Sequence, residues 1–193
     1  MIDYIDFKNK IHEAIANNKG VLFKNFLSKE DTPSWNDLLN CIYQESKEED
    51  SQNINSTEKA YGNVLLSGKL YLASHLNGDK LEVYFSKLNE IINRVRKETG
   101  VWITLIGPKI CLGPHSIGFH VDSWHALALQ CEGKAKWTLS NSQDPTLSTY
   151  LEEFYPEPGD LLFFPQGVWH SIETDNAIRG GLQFTAHILD NTN

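Results

Sequence analysis

The side chains in this sequence best suited to chemistry are His120 and Asp122, which are separated by one residue. Imidazole and carboxylate groups bind metals, and residues two apart in a β-strand face the same side. Taken alone, an H-x-D pair is explained in most proteins by ordinary polar surface. Here Gly118, Phe119 and Val121 surround the pair, and a carboxylate in such an apolar setting needs a compensating positive charge. We therefore predict that both side chains point toward a metal ion.

A second histidine, His170, ends the stretch of residues 159–170, GDLLFFPQGVWH. Its apolar run predicts a buried strand, and the Pro165-Gln166-Gly167 turn would direct His170 into the interior. Alone, His170 is as compatible with a hydrogen-bonded core histidine as with a ligand. Two imidazoles and one carboxylate can occupy one face of an octahedral metal, as in non-heme Fe(II) oxygenases, whereas tetrahedral zinc would keep only one open position. The sequence therefore predicts a metal site of His120, Asp122 and His170, with iron favoured over zinc.

The stretch that ends at His170 resembles a known family motif. Gly159-x5-Pro165-x-Gly167-x2-His170 is similar to the second sequence motif of the cupin superfamily. The resemblance covers residues 100–190 well. More loosely, residues 21–26 are similar to the N-terminal entry strand of the family.

The segment around the first pair narrows this resemblance to one branch of the superfamily. His120-x-Asp122-x7-Gln130-x2-Gly133-x3-Trp137 resembles the Jumonji-C branch, especially the bacterial-type ribosomal oxygenases and related protein hydroxylases. Either motif alone would be only suggestive, whereas the two together are specific.

The resemblance implies a double-stranded β-helix that holds Fe(II) and uses 2-oxoglutarate and dioxygen as cosubstrates. The implied reaction is hydroxylation of an unactivated C–H bond, in which 2-oxoglutarate is converted to succinate. The substrate would be a peptide, an amino acid or a small metabolite, and the resemblance leaves room for a homodimer. Two alternatives stay open. One is a cupin metalloenzyme that uses iron without 2-oxoglutarate, as an oxidase, dioxygenase or isomerase, and the other is a non-catalytic cupin-like binding protein.

One departure from the family pattern concerns the group that anchors the cosubstrate. The family usually places a Lys or Arg thirteen residues after the Asp, and this sequence has Ala135 there. Lys136 could serve only if a bulge shifted the strand register. Arg179 is the preferred candidate, with Thr185 on the same strand face as a second donor, because other branches place an anchoring Arg at about this spacing. Arg179 is alternatively an exposed turn residue.

The remaining sequence predicts a mainly β fold with flanking helices, a small β-barrel or jelly roll, and the resemblance implies that it is of the cupin and Jumonji-C type. Short apolar stretches separated by Gly, Pro, Asn and Asp turns indicate a catalytic core of residues 101–190. Residues 1–100 are predicted to form an α/β support, so that residues 1–193 make a single domain. The predicted core strands are residues 101–106, 109–112, 118–122, 126–131, 134–139, 160–164, 168–172 and 181–189.

In the first hundred residues, apolar side chains at helical spacing predict three helices. The first would stop at Gly20, the second would start at Thr32-Pro33, and the third would run from Asn77 to Gly100. Residues 21–23 are a predicted strand, a hairpin is expected around residues 67–68, and the polar residues 44–60 are predicted to be a loop that could act as a lid.

Composition disfavours several classes of partner and compartment. The 25 acidic and 17 basic side chains give a net charge of −8, which disfavours a nucleic acid or an anionic membrane as a partner. Cys41, Cys111 and Cys131 are odd in number and lack C-x-x-C spacing, so we expect free thiols. No apolar run approaches the roughly 20 residues of a membrane span, and the first residues lack the features of a signal peptide. We therefore predict a cytoplasmic protein.

Overall fold

The computed structural model describes residues 2–50, 64–66, 69–73, 76, 80–113, 115–174 and 178–188. Within these ranges the helices are α1 (Tyr4–Asn17), α2 (Trp35–Asp50), α3 (Leu81–Tyr84) and α4 (Ser86–Thr99). The strands are β1 (Val21–Phe23), β2 (Val64–Leu66), β3 (Lys69–Ala73), β4 (Val101–Leu112), β5 (His115–His120), β6 (His125–Gly133), β7 (Lys136–Ser140), β8 (Leu151–Phe154), β9 (Leu161–Phe164), β10 (Trp169–Thr174) and β11 (Ile178–Ile188). No helix in the described ranges has both the length and the apolar character needed to cross a membrane.

The strands form two antiparallel sheets that pack face to face. Seven strands lie in the order β1-β9-β6-β11-β4-β3-β2, and four lie in the order β5-β10-β7-β8. One buried apolar cluster joins their inner faces, with Ala128 and Phe164 from the larger sheet and Trp137 and Ile172 from the smaller one. The predicted double-stranded β-helix with flanking helices is confirmed.

A second apolar cluster fixes the helices against the outer face of the larger sheet. Side chains alternate across a strand, so on β6 Ala128 belongs to the inner cluster while Leu127 belongs to the outer one. Phe7 of α1 and Ile92 of α4 join that outer cluster. Fully burying a Leu, Ile or Phe side chain contributes roughly 1.5–3 kcal/mol. The helices therefore support the sheet from outside and leave its inner face available to polar side chains. The division into a support and a core within one domain stays a prediction.

The two strands predicted for residues 101–106 and 109–112 are one continuous strand, β4. The sequence Gly107-Pro108 indicated a break, but the chain passes it with a register shift against β11. Pro108 directly precedes Lys109, which is the first residue of β4 that pairs with β3, so the proline ring lies outside that ladder. A bulge therefore replaces the expected turn.

Several strands differ from the prediction. β8 was not predicted, because Glu152 and Glu153 hide its apolar pattern. β5 ends at His120, so Asp122 lies in the following loop instead of on the strand. β11 begins at Ile178, three residues earlier than predicted, and therefore includes Arg179.

The helix ends are set by different residues from those predicted. The last residue of α1 is Asn17. The next residue, Asn18, adopts the left-handed conformation at φ 53° and ends the helix before Gly20. α2 begins after Ser34, two residues later than expected. The Ser34 N–H donates to Asp37 Oδ2 (2.8 Å), and Ser34 Oγ accepts from the Asp37 N–H (3.4 Å). This reciprocal pair is a capping box, which the Thr32-Pro33 signal obscured.

The region between α2 and β4 confirms part of the prediction. α2 continues to Asp50, so residues 44–50 of the predicted loop are helical, and residues 51–60 lie outside the described residues. β2 and β3 pair as the expected hairpin. The predicted third helix is divided at Phe85 into α3 and α4 and ends at Gly100 as expected, while its predicted start at residues 77–79 lies outside the described residues.

Asp160 joins β1 to the turn that leads into β9. Its side chain is buried, at 2% exposure. It accepts from the backbone N–H groups of Asn25 and Glu157, both at 2.8 Å, and from Lys24 Nζ at 2.7 Å. One carboxylate therefore anchors the edge strand to the segment that begins the second sequence motif.

We predict that Asp160→Ala lowers the free energy of unfolding by about 3 kcal/mol, because two backbone N–H groups lose a charged acceptor in a buried setting. Chemical denaturation measures the change. Asp144→Ala is the matched control, because Asp144 accepts from the Thr146 N–H at 2.9 Å but lies in an exposed turn, where losing a cap costs about 1 kcal/mol. Equal losses in the two variants would contradict this role for Asp160.

Candidate metal centre

The three predicted ligands converge where β5 and β10 lie side by side. His170 of β10 pairs with His120, the last residue of β5. Asp122 follows in a loop that is tied to the turn before β10, because the Gly167 N–H donates to the Asp122 carbonyl at 3.3 Å. One ligand atom from each of the three side chains lies within 4.8 Å of the other two. The structure thus brings together the three residues that the sequence singled out.

Both imidazoles are oriented by backbone carbonyls. His120 Nδ1 lies 2.9 Å from the Gly118 carbonyl oxygen, and His170 Nδ1 lies 3.1 Å from that of Val168. A carbonyl oxygen can only accept, so Nδ1 carries the proton in each ring and the Nε2 lone pair is available to a metal. Burial lowers the pKa of His170 below its ordinary value. His170 is therefore neutral near pH 7, as a ligand must be.

The carboxylate of Asp122 completes the donor set. Asp122 Oδ2 lies 3.7 Å from His170 Nε2, and Gln183 Nε2 of β11 donates to the same oxygen at 3.4 Å. Two imidazoles and one carboxylate at these separations fit a divalent iron ion and occupy one side of it. The sequence analysis did not predict this contact of Gln183.

Aromatic side chains close the inner side of the centre. The Phe164 ring lies 4.3 Å from the His170 ring, and the Trp137 ring lies 6.2 Å from it, between ring centroids. Both aromatic residues are buried in the inner cluster. In such a water-poor environment the charges of ligands and bound groups interact more strongly than they would in water.

Arg179 points into the same interior. It is 4% exposed, so the alternative of an exposed turn residue is wrong. Its Nε donates to Gln130 Oε1 at 3.2 Å, and its guanidinium carbon lies 5.5 Å from the centroid of the Trp137 ring. Trp137 therefore lies beside both His170 and Arg179. Gln130 had been noted only as part of a motif, and the structure places it in contact with the guanidinium.

The two other predicted cosubstrate residues do not join Arg179. Lys136 forms ion pairs with Glu173 of β10 (2.9 Å) and Glu153 of β8 (3.5 Å), and β7 pairs with β10 without the register shift that Lys136 required. Thr185 is six residues beyond Arg179 on β11, which at about 3.3 Å per residue is roughly 20 Å along the strand. One carboxylate cannot contact both Arg179 and Thr185.

A second buried cation, Lys109, was missed by the sequence analysis. It lies on β4, is 8% exposed and pairs with Gly181 of β11. Burial is the main cause that lowers the pKa of Lys109 to about 8, the charge of Asp122 opposes this shift, and the charge of Arg179 adds to it. The sequence did offer a signal for this buried position. Lys109 lies in an apolar strand, two residues before Cys111 and therefore on the same face of the strand.

The loop that carries Asp122 also borders a cavity on the outside of the barrel. Ser123, Trp124 and Gln166 line this cavity, which has a volume of about 430 Å³. The indole N–H of Trp124 is buried and has no hydrogen-bond partner among the described residues. Trp124 follows Asp122 by two residues, so it lies on the loop that carries this candidate ligand.

Residues 94–193 match the family model of the JmjC domain. The bifunctional lysine-specific demethylase and histidyl-hydroxylase NO66 of Aedes aegypti is 35% identical over 78 residues, which are 32% of this chain and 12% of that protein. Ribosomal oxygenase 2 of Rattus norvegicus is 27% identical over 124 residues, 58% of this chain and 24% of that protein. The chain thus spans less than a quarter of the length of these relatives.

The fold is also similar to that of a solved structure. YcfD, a ribosomal oxygenase from Escherichia coli in complex with cobalt and 2-oxoglutarate, matches all of this chain and 53% of its own chain, with a TM-score of 0.53. The two sequences are 17% identical, so this likeness concerns the fold alone.

We predict that Asp122→Ala weakens Co(II) or Fe(II) binding by more than about 100-fold, since loss of a neighbouring orienting group alone costs 10- to 100-fold. Titration followed by cobalt absorption measures the affinity. His187→Ala is the control, because it removes an exposed imidazole of β11 that is not in the cluster. Unchanged metal uptake in Asp122→Ala would exclude the proposed ligand set.

Proposed function

This chain belongs to the JmjC-domain family, and on that premise we propose that it is an Fe(II)- and 2-oxoglutarate-dependent oxygenase that hydroxylates a C–H bond of a protein or peptide. The observation that carries the proposal is the convergence of His120, Asp122 and His170 within 4.8 Å at one end of the barrel. A set of two imidazoles and one carboxylate leaves positions of the metal open for cosubstrates.

The residues of this chain would bind the metal, orient the ligand side chains and exclude water. His120, Asp122 and His170 would hold the iron, with the imidazole rings fixed by the Gly118 and Val168 carbonyls. Gln183 orients the Asp122 carboxylate. Bound iron and 2-oxoglutarate would supply the oxidation, in which dioxygen is consumed, the oxo acid becomes succinate and carbon dioxide, and a substrate C–H bond becomes C–OH.

Arg179 is the proposed anchor for 2-oxoglutarate. A guanidinium group binds a carboxylate through two parallel N–H donors, and burial strengthens such a charge-assisted contact. Two observations support this role of Arg179. The residue is buried on the inner face of β11, and the indole of Trp137 lies next to both Arg179 and the proposed metal ligand His170. Ala135 cannot bind an anion, so a cation on another strand is needed.

The proposal of a protein or peptide substrate rests on the relatives. Two of them are named as a histidyl-hydroxylase and a ribosomal oxygenase. Trp124 and Gln166 line the cavity beside the loop that carries Asp122, and they would contact a substrate segment that approaches the iron from outside. The net charge of −8 is suited to a basic polypeptide, as many ribosomal proteins are, and unsuited to bare nucleic acid.

Under anaerobic conditions, Fe(II) and 2-oxoglutarate should together produce a metal-to-ligand absorption band, and admitting air should yield succinate. His170→Ala should lose both signals, because one imidazole ligand is removed, whereas His187→Ala should keep both. Iron binding without the band and without succinate would favour the cupin enzyme that acts without 2-oxoglutarate, for which Ala135 is the supporting observation. Failure to take up iron would favour the non-catalytic binding protein.

The polypeptide substrate has its own test. The iron-loaded protein should add one oxygen atom to a component of a ribosomal protein mixture, and mass spectrometry should locate it on a single residue. Omission of 2-oxoglutarate and the His170→Ala variant are the controls. Hydroxylation of free amino acids in place of the proteins would contradict a polypeptide substrate while leaving the oxygenase proposal intact.

A further inference from the structure

Two buried cations lie next to each other on the inner face of the larger sheet. Lys109 of β4 pairs with Gly181 of β11, and Cys111 of β4 pairs with Arg179. Lys109 and Arg179 are therefore diagonal neighbours across two hydrogen-bonded strands, at a Cα separation of roughly 7–8 Å. They are 8% and 4% exposed. Two positive charges this close together in an apolar interior form a strong binding site for an anionic group.

The charge of Asp122 raises the pKa of Lys109, opposite to the effect of burial. In the proposed function that carboxylate binds iron, so its charge is shared with the metal. A second carboxylate bound between Lys109 and Arg179 would be stabilised by both positive charges. The proposed cosubstrate carries such a group, since 2-oxoglutarate has a distal carboxylate in addition to the end that binds iron.

The neighbours of the two cations favour a ligand at this position. The Trp137 indole N–H is buried and has no hydrogen-bond partner among the described residues, although the ring lies beside Arg179. The lack of a side chain at Gly181 makes room for the guanidinium of Arg179, because a Cβ there would lie 2.7 Å from Arg179 Nη2. Ala135 belongs to the inner cluster and is 6% exposed, so this interior position carries no charge.

We propose that Lys109 and Arg179 together bind the distal carboxylate of 2-oxoglutarate, with the Trp137 indole N–H as a neutral donor. The pair replaces the single cation that the family places at the position of Ala135. This inference rests on the proposed function. It assigns Lys109 a role in selecting a 2-oxo dicarboxylic acid over a 2-oxo monocarboxylic acid.

The test measures binding affinity. With Mn(II) in place of iron, isothermal titration calorimetry compares 2-oxoglutarate with 2-oxopentanoate, which has the same five-carbon chain but no distal carboxylate. Lys109→Met and Arg179→Met should each weaken 2-oxoglutarate binding by about 10- to 100-fold, the loss of one charge-assisted hydrogen bond, and leave 2-oxopentanoate binding unchanged. Trp137→Phe, which removes only the N–H, should weaken 2-oxoglutarate by about 3- to 10-fold.

Two control variants separate charge from packing. Lys136→Met removes a lysine that pairs with Glu153 and Glu173, and it should change neither affinity. Lys109→Arg keeps the charge and should retain most of the preference for 2-oxoglutarate. Unchanged affinity for 2-oxopentanoate in Lys109→Met also shows that the variant is folded.

Other outcomes overturn the inference in distinguishable ways. If Lys109→Met keeps the wild-type preference, Lys109 is not part of the subsite and the proposed function stands. If Lys109→Met weakens the binding of both oxo acids equally, or weakens Mn(II) binding, Lys109 acts as a counter-ion of Asp122. If the wild-type protein binds Mn(II) but does not prefer 2-oxoglutarate, the cosubstrate assignment itself fails.

Discussion

The antiparallel register between β5 and β10 is the constraint on which the metal centre depends. It places His170 directly opposite His120, at the point where β5 ends and the chain turns toward Asp122. A slip of one residue would turn His170 to the opposite face of its strand and separate the ligands. The Gly167 N–H that donates to the Asp122 carbonyl joins the two segments outside the sheet. Ligand convergence is therefore a property of strand pairing, and a metal would stabilise an arrangement that the backbone already holds.

The interior of the barrel combines apolar walls with an ordered set of charged groups. Phe164 and Trp137 exclude water around His170, and in that environment each charge needs a nearby partner. Asp122 has contacts with His170 and Gln183, and Arg179 has one with Gln130. The polar groups thus follow β11 from the metal ligands at one end to the guanidinium at the other, a linear arrangement suited to an elongated ligand with a charge at its far end.

The outer helices support the site from the opposite face of the larger sheet. They cover the face of the larger sheet opposite the site, through a cluster that includes Phe7, Leu127 and Ile92. Because side chains alternate across each strand, the residues that pack against the helices and those that face the metal centre are interleaved along β6 and β11. Packing outside the barrel therefore fixes the positions of side chains inside it.

The sequence by itself determined the fold class, most of the strands and the three candidate metal ligands. Strand periodicity and the donor chemistry of His and Asp are local properties, and they are visible without any pairing partner. The tertiary structure decided what the sequence left open: that Asp122 lies beyond the strand, that Arg179 is buried while Lys136 pairs with surface glutamates, and that Lys109 faces the same interior. Each of these depends on register and bulges between strands that are distant in the chain, as where β4 passes Gly107 and Pro108 against β11. A pattern read along one strand cannot specify which residue of another strand lies opposite, because contacts across the whole barrel set that alignment.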